Sequence, residues 1–378
     1  MSSPRRSARR ERLDISPNPT NARPPSRLGG SALMYTTEQV VFTFAWLAYR
    51  GGSLPFTPTR NAPLVLNKLR KEIRALPPLG DAWEIAWGPV LHRSPFVWFD
   101  DGMMVVVREK ADPARLVIAI RGTNPASVST WLFQNFMVGD TVRWPFGDAA
   151  STPNLELALG TYQGLTTLLD LAPSPELPGN GTRLLDFLRR EVETRGGLDI
   201  TVTGHSLGGV LASTLSLSLA DLQAKGASVG AAWDPEERSR LTTYSFAAPT
   251  AGNRDFAAYT DARIGGTLHR IWNTLDIVPH AWDSEMLAAI PILYADFAIP
   301  DPLIEGARRL ATIAVEPIGY RHPLSGDEPF TAPAAKTVPV YGAHAIHHHG
   351  QAYLDFMKLA DILSVPEIVF ALQPPQAA

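Results

Sequence analysis

The segment Leu198–Ala220 constrains this chain most, because it predicts a β-strand, a sharp turn and an α-helix in direct succession. The turn, Thr203–Gly209, contains the pattern Gly-His-Ser-Leu-Gly. Glycine at 204 and 208 leaves room for a backbone that holds the serine between them at strained angles and turns it outward. Ser206 is therefore the candidate nucleophile of an elbow between strand and helix. A glycine-rich packing turn without chemistry is the alternative.

Composition limits the classes of protein that this chain can form. Its 378 residues are 45% hydrophobic and 19% charged, which is ample for one large globular domain. A net charge of -3 gives no basic footprint, so nucleic acid is not an expected partner and the ligand is expected to be small or neutral. The absence of cysteine excludes disulfides, thiolate metal sites and cysteine nucleophiles. No apolar run is long enough to cross a membrane and no standard secretory signal is recognisable, so a cytoplasmic location is favoured.

The order of predicted elements indicates an α/β fold. Residues 1–31, rich in Arg, Ser and Pro, are expected to form a disordered basic tail, and 32–378 a single domain. A helix is predicted from Thr36, and helical segments alternate with short strands, which implies a mainly parallel sheet with helices on both faces. The predicted strand segments are Ala82–Trp87, Phe96–Phe99, Met103–Val107, Leu116–Ile120, Thr242–Phe246 and Thr267–Asn273. A long, apolar, proline-interrupted insertion, 283–343, precedes a closing helix over His344–Leu363.

A serine hydroxyl is a poor nucleophile near neutral pH, so Ser206 needs a histidine base and an acid that orients the histidine. Asp276 directly follows the predicted strand Thr267–Asn273, where such an acid belongs, whereas Asp255, Asp261 and Asp283 lie on a helix or in the insertion. An ordinary turn aspartate is the alternative for Asp276. The candidate bases are the four histidines before the closing helix, His344, His347, His348 and His349. Metal binding by this cluster is not expected, because no partner cysteine or His-Glu-x-x-His pattern accompanies it.

A tetrahedral oxyanion needs two preorganised hydrogen-bond donors. The backbone amide of Leu207, directly after the nucleophile, is expected to supply the first. The second is expected from Thr123 in Arg121-Gly122-Thr123, which follows the fully apolar strand Leu116–Ile120. A plain turn at the end of that strand is the alternative.

Four segments together resemble the class 3 lipase family, the fungal triacylglycerol lipase type. These segments are Leu116–Thr123, Thr203–Gly209, Tyr244–Asn253 and Asn273–Pro279. The resemblance implies an α/β-hydrolase fold and ester hydrolysis, and it places the second oxyanion residue at Thr123 and the acid at Asp276. The family's histidine precedes a Tyr-Leu pair, here Tyr353-Leu354, and the common spacing implies His348 as the base, with His349 as the next choice.

In this family the lid follows the Arg-Gly-Thr motif, a place that Ser127–Val138 occupies here. The resemblance implies that Trp131, Phe133 and Phe136 contact the substrate or a lipid interface, and the elbow residue His205 is assigned to the same group. Core packing of the segment is the alternative. Apolar residues of the insertion are expected to shape an acyl pocket or a second cap: Met286, Leu287, Ile290, Ile292, Leu293, Tyr294 and Phe297.

The sequence therefore predicts a serine hydrolase that cleaves carboxylic esters of lipids through an acyl-enzyme. Its expected partners are a lipid or small ester substrate and a transient lipid interface, and it needs no cofactor and no metal. A phospholipase or a polyester hydrolase is the alternative within enzymes, and a metal-dependent hydrolase is a further one. A hydrolase-fold protein that binds a lipid or a partner without turnover is the alternative from a different class.

Overall fold

Strands and helices alternate along most of the chain, as the order of apolar segments predicts. The computed structural model describes residues 35–51, 54, 56–93, 102–122, 138–146, 154–224, 232–283, 285–299, 301–335 and 339–365. Residues Tyr35–Ala378 cluster as one compact unit. The predicted basic tail, the predicted strand Phe96–Phe99 and most of the predicted lid lie outside the described residues.

Eleven strands and ten α-helices are numbered below in chain order within the described residues. The strands are β1 (Trp83–His92), β2 (Gly102–Glu109), β3 (Arg115–Ile120), β4 (Thr141–Arg143), β5 (Glu156–Ala158), β6 (Asp199–His205), β7 (Arg240–Phe246), β8 (Gly252–Asn253), β9 (Leu268–Asn273), β10 (Tyr320–Arg321) and β11 (Asp327–Phe330). The helices are α1 (Thr37–Leu47), α2 (Pro58–Ala75), α3 (Leu159–Asp170), α4 (Leu184–Arg195), α5 (Leu207–Gln223), α6 (Arg254–Ile264), α7 (Ile277–His280), α8 (Pro302–Val315), α9 (Tyr341–His349) and α10 (Gln351–Phe356).

The central sheet has seven strands in the order β1-β2-β3-β6-β7-β9-β11. Strands β1, β2 and β3 pair antiparallel, and every pair from β3 to β11 is parallel. The predicted mainly parallel sheet is therefore confirmed. A second, antiparallel sheet joins β4, β5, β8 and β10.

Strand β3 is buried on both faces, as its unbroken apolar run predicts. Leu116, Ile118 and Ile120 face the core that holds α3, α4 and α5. Val117 and Ala119 point the other way, into the core that holds α1 and α2. Because successive side chains of a strand alternate between faces, one apolar strand contributes to two cores, and helices cover both sides of the sheet.

Local signals account for several element boundaries. The side chain of Thr36 accepts a hydrogen bond from the Gln39 amide, and the Gln39 side chain caps Thr36 in return, so α1 begins with a capping box. Pro58 occupies the first turn of α2, where its missing amide hydrogen has no cost. Gly196 ends α4 in the left-handed conformation.

The closing helix and the insertion differ from the prediction. The predicted single helix over His344–Leu363 is two helices, α9 and α10, separated at Gly350, whose φ of -125° and ψ of -82° are not helical. The insertion contains a helix, α8, and the edge strand β11, which pairs in parallel with β9. Proline at 329 is compatible with this position, because an edge strand has one side that needs no ladder hydrogen bond.

Candidate active site

Ser206 stands on a strained turn between β6 and α5. Its φ of 60° and ψ of -129° are unusual for a residue with a side chain, and its amide donates to the carbonyl of Phe246 at 2.9 Å. A Cβ added at Gly204 would lie 2.1 Å from the carbonyl oxygen of Gly208, and one at Gly208 would lie 2.3 Å from that of Ile120. Both contacts are with backbone atoms, so only glycine fits at 204 and 208. The sequence motif thus forms the elbow that it predicts.

The end of β3 packs against this elbow. A Cβ added at Gly122 would lie 2.5 Å from the carbonyl oxygen of His205 and 2.9 Å from the amide nitrogen of Gly208. Thr123, the predicted second oxyanion residue, directly follows Gly122 and lies outside the described residues. Leu207 is the first residue of α5, so its amide has no acceptor within the helix and lies at the positive end of the helix dipole.

Asp276, the predicted acid, is fully buried just past the end of β9. Its Oδ1 accepts from the Val278 amide at 3.0 Å, and its Oδ2 accepts from the Tyr353 hydroxyl at 2.9 Å. The same hydroxyl accepts from the Asn273 amide at 3.0 Å. Burial, followed by the neighbouring Asp276 charge, raises the pKa of Tyr353 well above its usual value, so Tyr353 stays a hydrogen-bond donor.

His349, and not His348, contacts this acid. Nδ1 of His349 lies 2.8 Å from Oδ2 and 3.1 Å from Oδ1 of Asp276. His348 turns towards Asn273, whose Nδ2 lies 3.1 Å from both Nδ1 and the carbonyl oxygen of His348. Burial, followed by the neighbouring His347, lowers the pKa of His348 to about 4, so this side chain is neutral near pH 7. The geometry therefore makes His349, the second choice from the sequence, the candidate base in place of His348.

The physical reason is the phase of the helix. Adjacent helical residues point about 100° apart, so two neighbouring histidines cannot both face one carboxylate. His349 and Tyr353 are four residues apart and both contact Asp276. His349 ends α9 and Tyr353 lies in α10, beyond the non-helical Gly350, so their spacing of four is not that of one continuous helix, and the structure assigns the contact to His349.

His205 is fully buried, which does not fit its predicted contact with substrate. Its ring centroid lies 4.7 Å from that of His349 and 5.1 Å from that of Trp46. Its Nδ1 and its carbonyl oxygen each lie 3.0 Å from the Tyr49 hydroxyl, and that hydroxyl also interacts with the Ser206 side chain. Burial, followed by the neighbouring His349, lowers the pKa of His205 well below its usual value. His205 therefore packs between the elbow and the candidate base as a neutral ring.

Two residues at this site, Tyr49 and Asn273, are not among the predicted site residues. Tyr49 follows α1, and nothing local in the sequence marks its hydroxyl as a partner of the elbow. The Oδ1 atom of Asn273 accepts from the amides of Leu275 and Ala332, each at 3.1 Å. Asn273 thus links the acid turn, the insertion and the helix that carries the candidate base.

The rival acids and bases have other partners. Asp261 accepts from the amides of Leu324 and Ser325, and Asp283 accepts from Arg321 Nη1 at 3.0 Å. The ring of His344 packs against Tyr294 and Phe297. None of these residues approaches Asp276 as His349 does. Within the described residues, no group of three or more His, Asp or Glu is arranged to hold a metal ion.

The insertion packs beside the acid turn. Leu287, Ile290 and Tyr294 are buried in one cluster with Ile277 and Val278, which directly follow Asp276. Ile292, one of the residues expected to shape an acyl pocket or a second cap, is 68% exposed. Of the predicted lid segment only Val138 is described. Val138 is buried in the same cluster, and its carbonyl oxygen accepts from the Tyr320 hydroxyl at 2.8 Å. Trp131, Phe133 and Phe136 lie outside the described residues.

A strand-to-helix elbow that carries Ser206, a buried Asp-His pair and a mainly parallel sheet covered on both faces are features of the α/β-hydrolase fold. The chain belongs to the class 3 lipase family. It is 34% identical to M37 lipase over 86% of this chain and 94% of that one, with a TM-score of 0.79. The family model for lipase (class 3) matches residues 117–285.

Fungal lipases of known structure are also similar to this chain, at lower identity. Lipase II from Rhizopus niveus is 17% identical, with 66% of this chain and 77% of that one covered and a TM-score of 0.43. Lip2 lipase from Yarrowia lipolytica is 18% identical, with 65% and 75% covered and a TM-score of 0.43. None of the described helices is long and apolar enough to span a membrane.

Proposed function

We propose that this protein hydrolyses carboxylic esters of lipids, triacylglycerols first among them, with Ser206 as nucleophile, His349 as base and Asp276 as acid. The observation that carries the proposal is the 2.8 Å contact between His349 Nδ1 and Asp276 Oδ2 beside the strained elbow. Membership of the class 3 lipase family supports the class of reaction.

In the first half of the reaction, His349 Nε2 takes the proton from Ser206 Oγ as that oxygen attacks the ester carbonyl. Asp276 accepts from Nδ1–H and so fixes the tautomer that leaves Nε2 free to act as base. The imidazolium that forms is stabilised by the buried carboxylate. It then gives its proton to the leaving alcohol, and the acyl group stays on Ser206.

In the second half, water attacks the acyl-enzyme and His349 takes one of its protons. The Ser206–acyl bond breaks, the proton returns to Ser206 Oγ, and the carboxylic acid leaves. Both halves develop negative charge on the former carbonyl oxygen. The Leu207 amide at the N-terminus of α5 and Thr123 are the proposed donors to this oxyanion. No cofactor is consumed in either half.

The decisive experiment substitutes the two neighbouring histidines, His348 and His349, one at a time. Hydrolysis of p-nitrophenyl esters from short to long acyl chains is measured for the wild type, Ser206→Ala, His349→Ala and His348→Gln. We expect Ser206→Ala and His349→Ala to lose about 10⁴-fold or more in kcat, since a triad acts as a unit. His348→Gln is the matched control and is expected to retain activity within about tenfold, because it does not contact Asp276. Loss of activity in His348→Gln and its retention in His349→Ala would refute the assignment.

Two further measurements separate this proposal from its alternatives. Stoichiometric labelling by a fluorophosphonate, abolished in Ser206→Ala, supports turnover, whereas no labelling indicates a binding protein. Unchanged activity after chelation excludes a metal-dependent hydrolase. Comparison of triacylglycerol, phospholipid and polyester substrates at equal ester concentration then identifies the lipid class, and a preference for phospholipid or polyester replaces the triacylglycerol assignment.

A further inference from the structure

Helix α2 carries an exposed basic face on the side away from the core. Its buried side packs against β1 through apolar residues: Ala62, Val65, Leu66, Leu69 and Ile73. Five cationic side chains of the helix are exposed: Arg60, Lys68, Arg70, Lys71 and Arg74. They extend along about 20 Å of helix, from its first turn to its last. We call this set the α2 basic face.

The positive charge of the α2 basic face is poorly compensated within the described part of the chain. Glu72, the acid on the helix, is bound to Arg50 Nε at 2.7 Å. Asp81, shortly after the helix, is bound to Lys110 Nζ at 2.6 Å, and Arg74 has only a weaker electrostatic interaction with it. None of the five cations forms a salt bridge with a described residue. The whole chain has a net charge of -3, so this concentration of cations is local.

Helix stability does not explain the pattern. Lys68 and Lys71 are three residues apart and Arg70 and Arg74 are four apart, so each pair brings like charges together on the helix surface. Arg60 lies in the first turn, where the helix dipole disfavours a cation, although Arg74 in the last turn is favoured. Because the like charges on this face repel one another in the free protein, binding of an anionic partner stabilises them.

Two exposed apolar side chains indicate which anionic partner fits. Leu64 is 45% exposed and lies four residues from both Arg60 and Lys68, which places it within the basic face. Phe56, just before the helix, is 48% exposed. Cations around a few apolar side chains match a lipid interface, where phosphates lie above acyl chains. A nucleic acid backbone offers phosphates without an apolar layer for Leu64 and Phe56.

We propose that the α2 basic face adsorbs the protein to anionic lipid surfaces. Arg60, Lys68, Arg70, Lys71 and Arg74 contact headgroup phosphates, and Leu64 and Phe56 reach the acyl boundary. The proposal concerns adsorption and goes beyond the ester chemistry at Ser206. None of these residues contacts the candidate triad in the described structure, so adsorption and hydrolysis can be changed separately.

The test is a vesicle flotation assay with the full chain. Binding is measured to neutral phosphatidylcholine vesicles and to vesicles in which about a third of the lipid is phosphatidylglycerol, from about 0.05 to 0.5 M salt. One variant carries Lys68→Gln, Arg70→Gln, Lys71→Gln and Arg74→Gln. The matched control carries Arg190→Gln, Arg240→Gln, Arg254→Gln and Lys358→Gln, four exposed cations outside α2 with the same loss of net charge.

We expect the wild type to bind anionic but not neutral vesicles and to be released by salt. The α2 variant is expected to bind about 600-fold more weakly, since each of its four lost surface cations contributes about a factor of five, and the control within about threefold of wild type. Equal binding by the two variants, or no wild-type binding to anionic vesicles, overturns the proposal. Binding to duplex DNA with none to vesicles assigns the face to nucleic acid instead and also overturns it. Hydrolysis of a soluble short-chain ester is expected to be the same in both variants as in the wild type. Absence of this hydrolysis in the wild type would count against the proposed function and not against the adsorption proposal.

Discussion

Replacing Tyr353 by Phe removes one hydroxyl that serves two buried partners. The hydroxyl donates to Asp276 Oδ2 at 2.9 Å and accepts from the Asn273 amide at 3.0 Å. Losing a hydrogen bond to a charged acceptor costs about 1.5–3 kcal/mol, and a buried N–H left without an acceptor costs about 1–3 kcal/mol. Since the ring and its packing are kept, we expect the free energy of unfolding to fall by about 3 kcal/mol.

The same change is expected to lower kcat/KM about tenfold, equivalent to about 1.4 kcal/mol of transition-state stabilisation. Asp276 keeps the Val278 amide and His349 but loses one of the groups that hold its carboxylate. Steady-state hydrolysis of a soluble ester measures the catalytic effect, and urea unfolding measures the stability.

The matched control is Tyr259→Phe, because Tyr259 donates to another carboxylate, Asp221 Oδ1, at 2.8 Å. This pair is not part of the candidate site, so the control is expected to lose stability and keep kcat/KM. If Tyr353→Phe also keeps the wild-type kcat/KM while the variant is equally destabilised, then the Tyr353 hydroxyl contributes to stability alone. A role for Tyr353 in positioning Asp276 is then excluded.

Three further changes have expected outcomes. Gly208→Ala is expected to lower the free energy of unfolding by about 3 kcal/mol or more and to abolish activity, because the new Cβ would lie 2.3 Å from a backbone oxygen. Gly306→Ala, which has open space around its Cβ, is the control and is expected to be neutral or stabilising in the same urea titration. Tyr49→Phe leaves the carbonyl and ring nitrogen of His205 without this partner, so kcat is expected to fall about tenfold with KM unchanged, and an unchanged kcat would contradict a positioning role. The lowered pKa of His348 means that its side chain binds more protons in the unfolded chain below about pH 6.5, so this group is expected to contribute a fall of about 2 kcal/mol in the free energy of unfolding between pH 7 and pH 5. This fall should be smaller in His348→Gln, and an identical slope in that variant would show that other groups cause it.

Features that depend on neighbouring residues could be predicted from the sequence. The elbow at Ser206 follows from glycines two residues away on either side, since only they fit the backbone of that turn. The apolar run Leu116–Ile120 predicts a strand buried on both faces, and the structure confirms it. The start of α1 at Thr36 is likewise a local capping signal.

Other features could not be predicted because their causes lie elsewhere in the chain. Strand β11 lies in the insertion and has little apolar pattern of its own, and it becomes a strand by pairing with β9. Helix α2 is not among the predicted elements. Prolines precede it and one lies within it, and its apolar side packs on β1. In both cases a partner distant in sequence supplies the stabilising contacts.

The choice between His348 and His349 likewise depends on residues that are distant in the sequence. Sequence alone determined that a histidine of this cluster follows the acid in chain order and lies close to Tyr353. Only the tertiary structure decided which ring meets Asp276, because that contact joins residues 73 apart and depends on the helix phase and on the break at Gly350. Likewise, sequence marked Ser206, but the burial of His205 and its contact with Tyr49 depend on packing between α1 and β6. Backbone geometry is set largely by adjacent residues, whereas the meeting of two side chains is set by the whole fold between them.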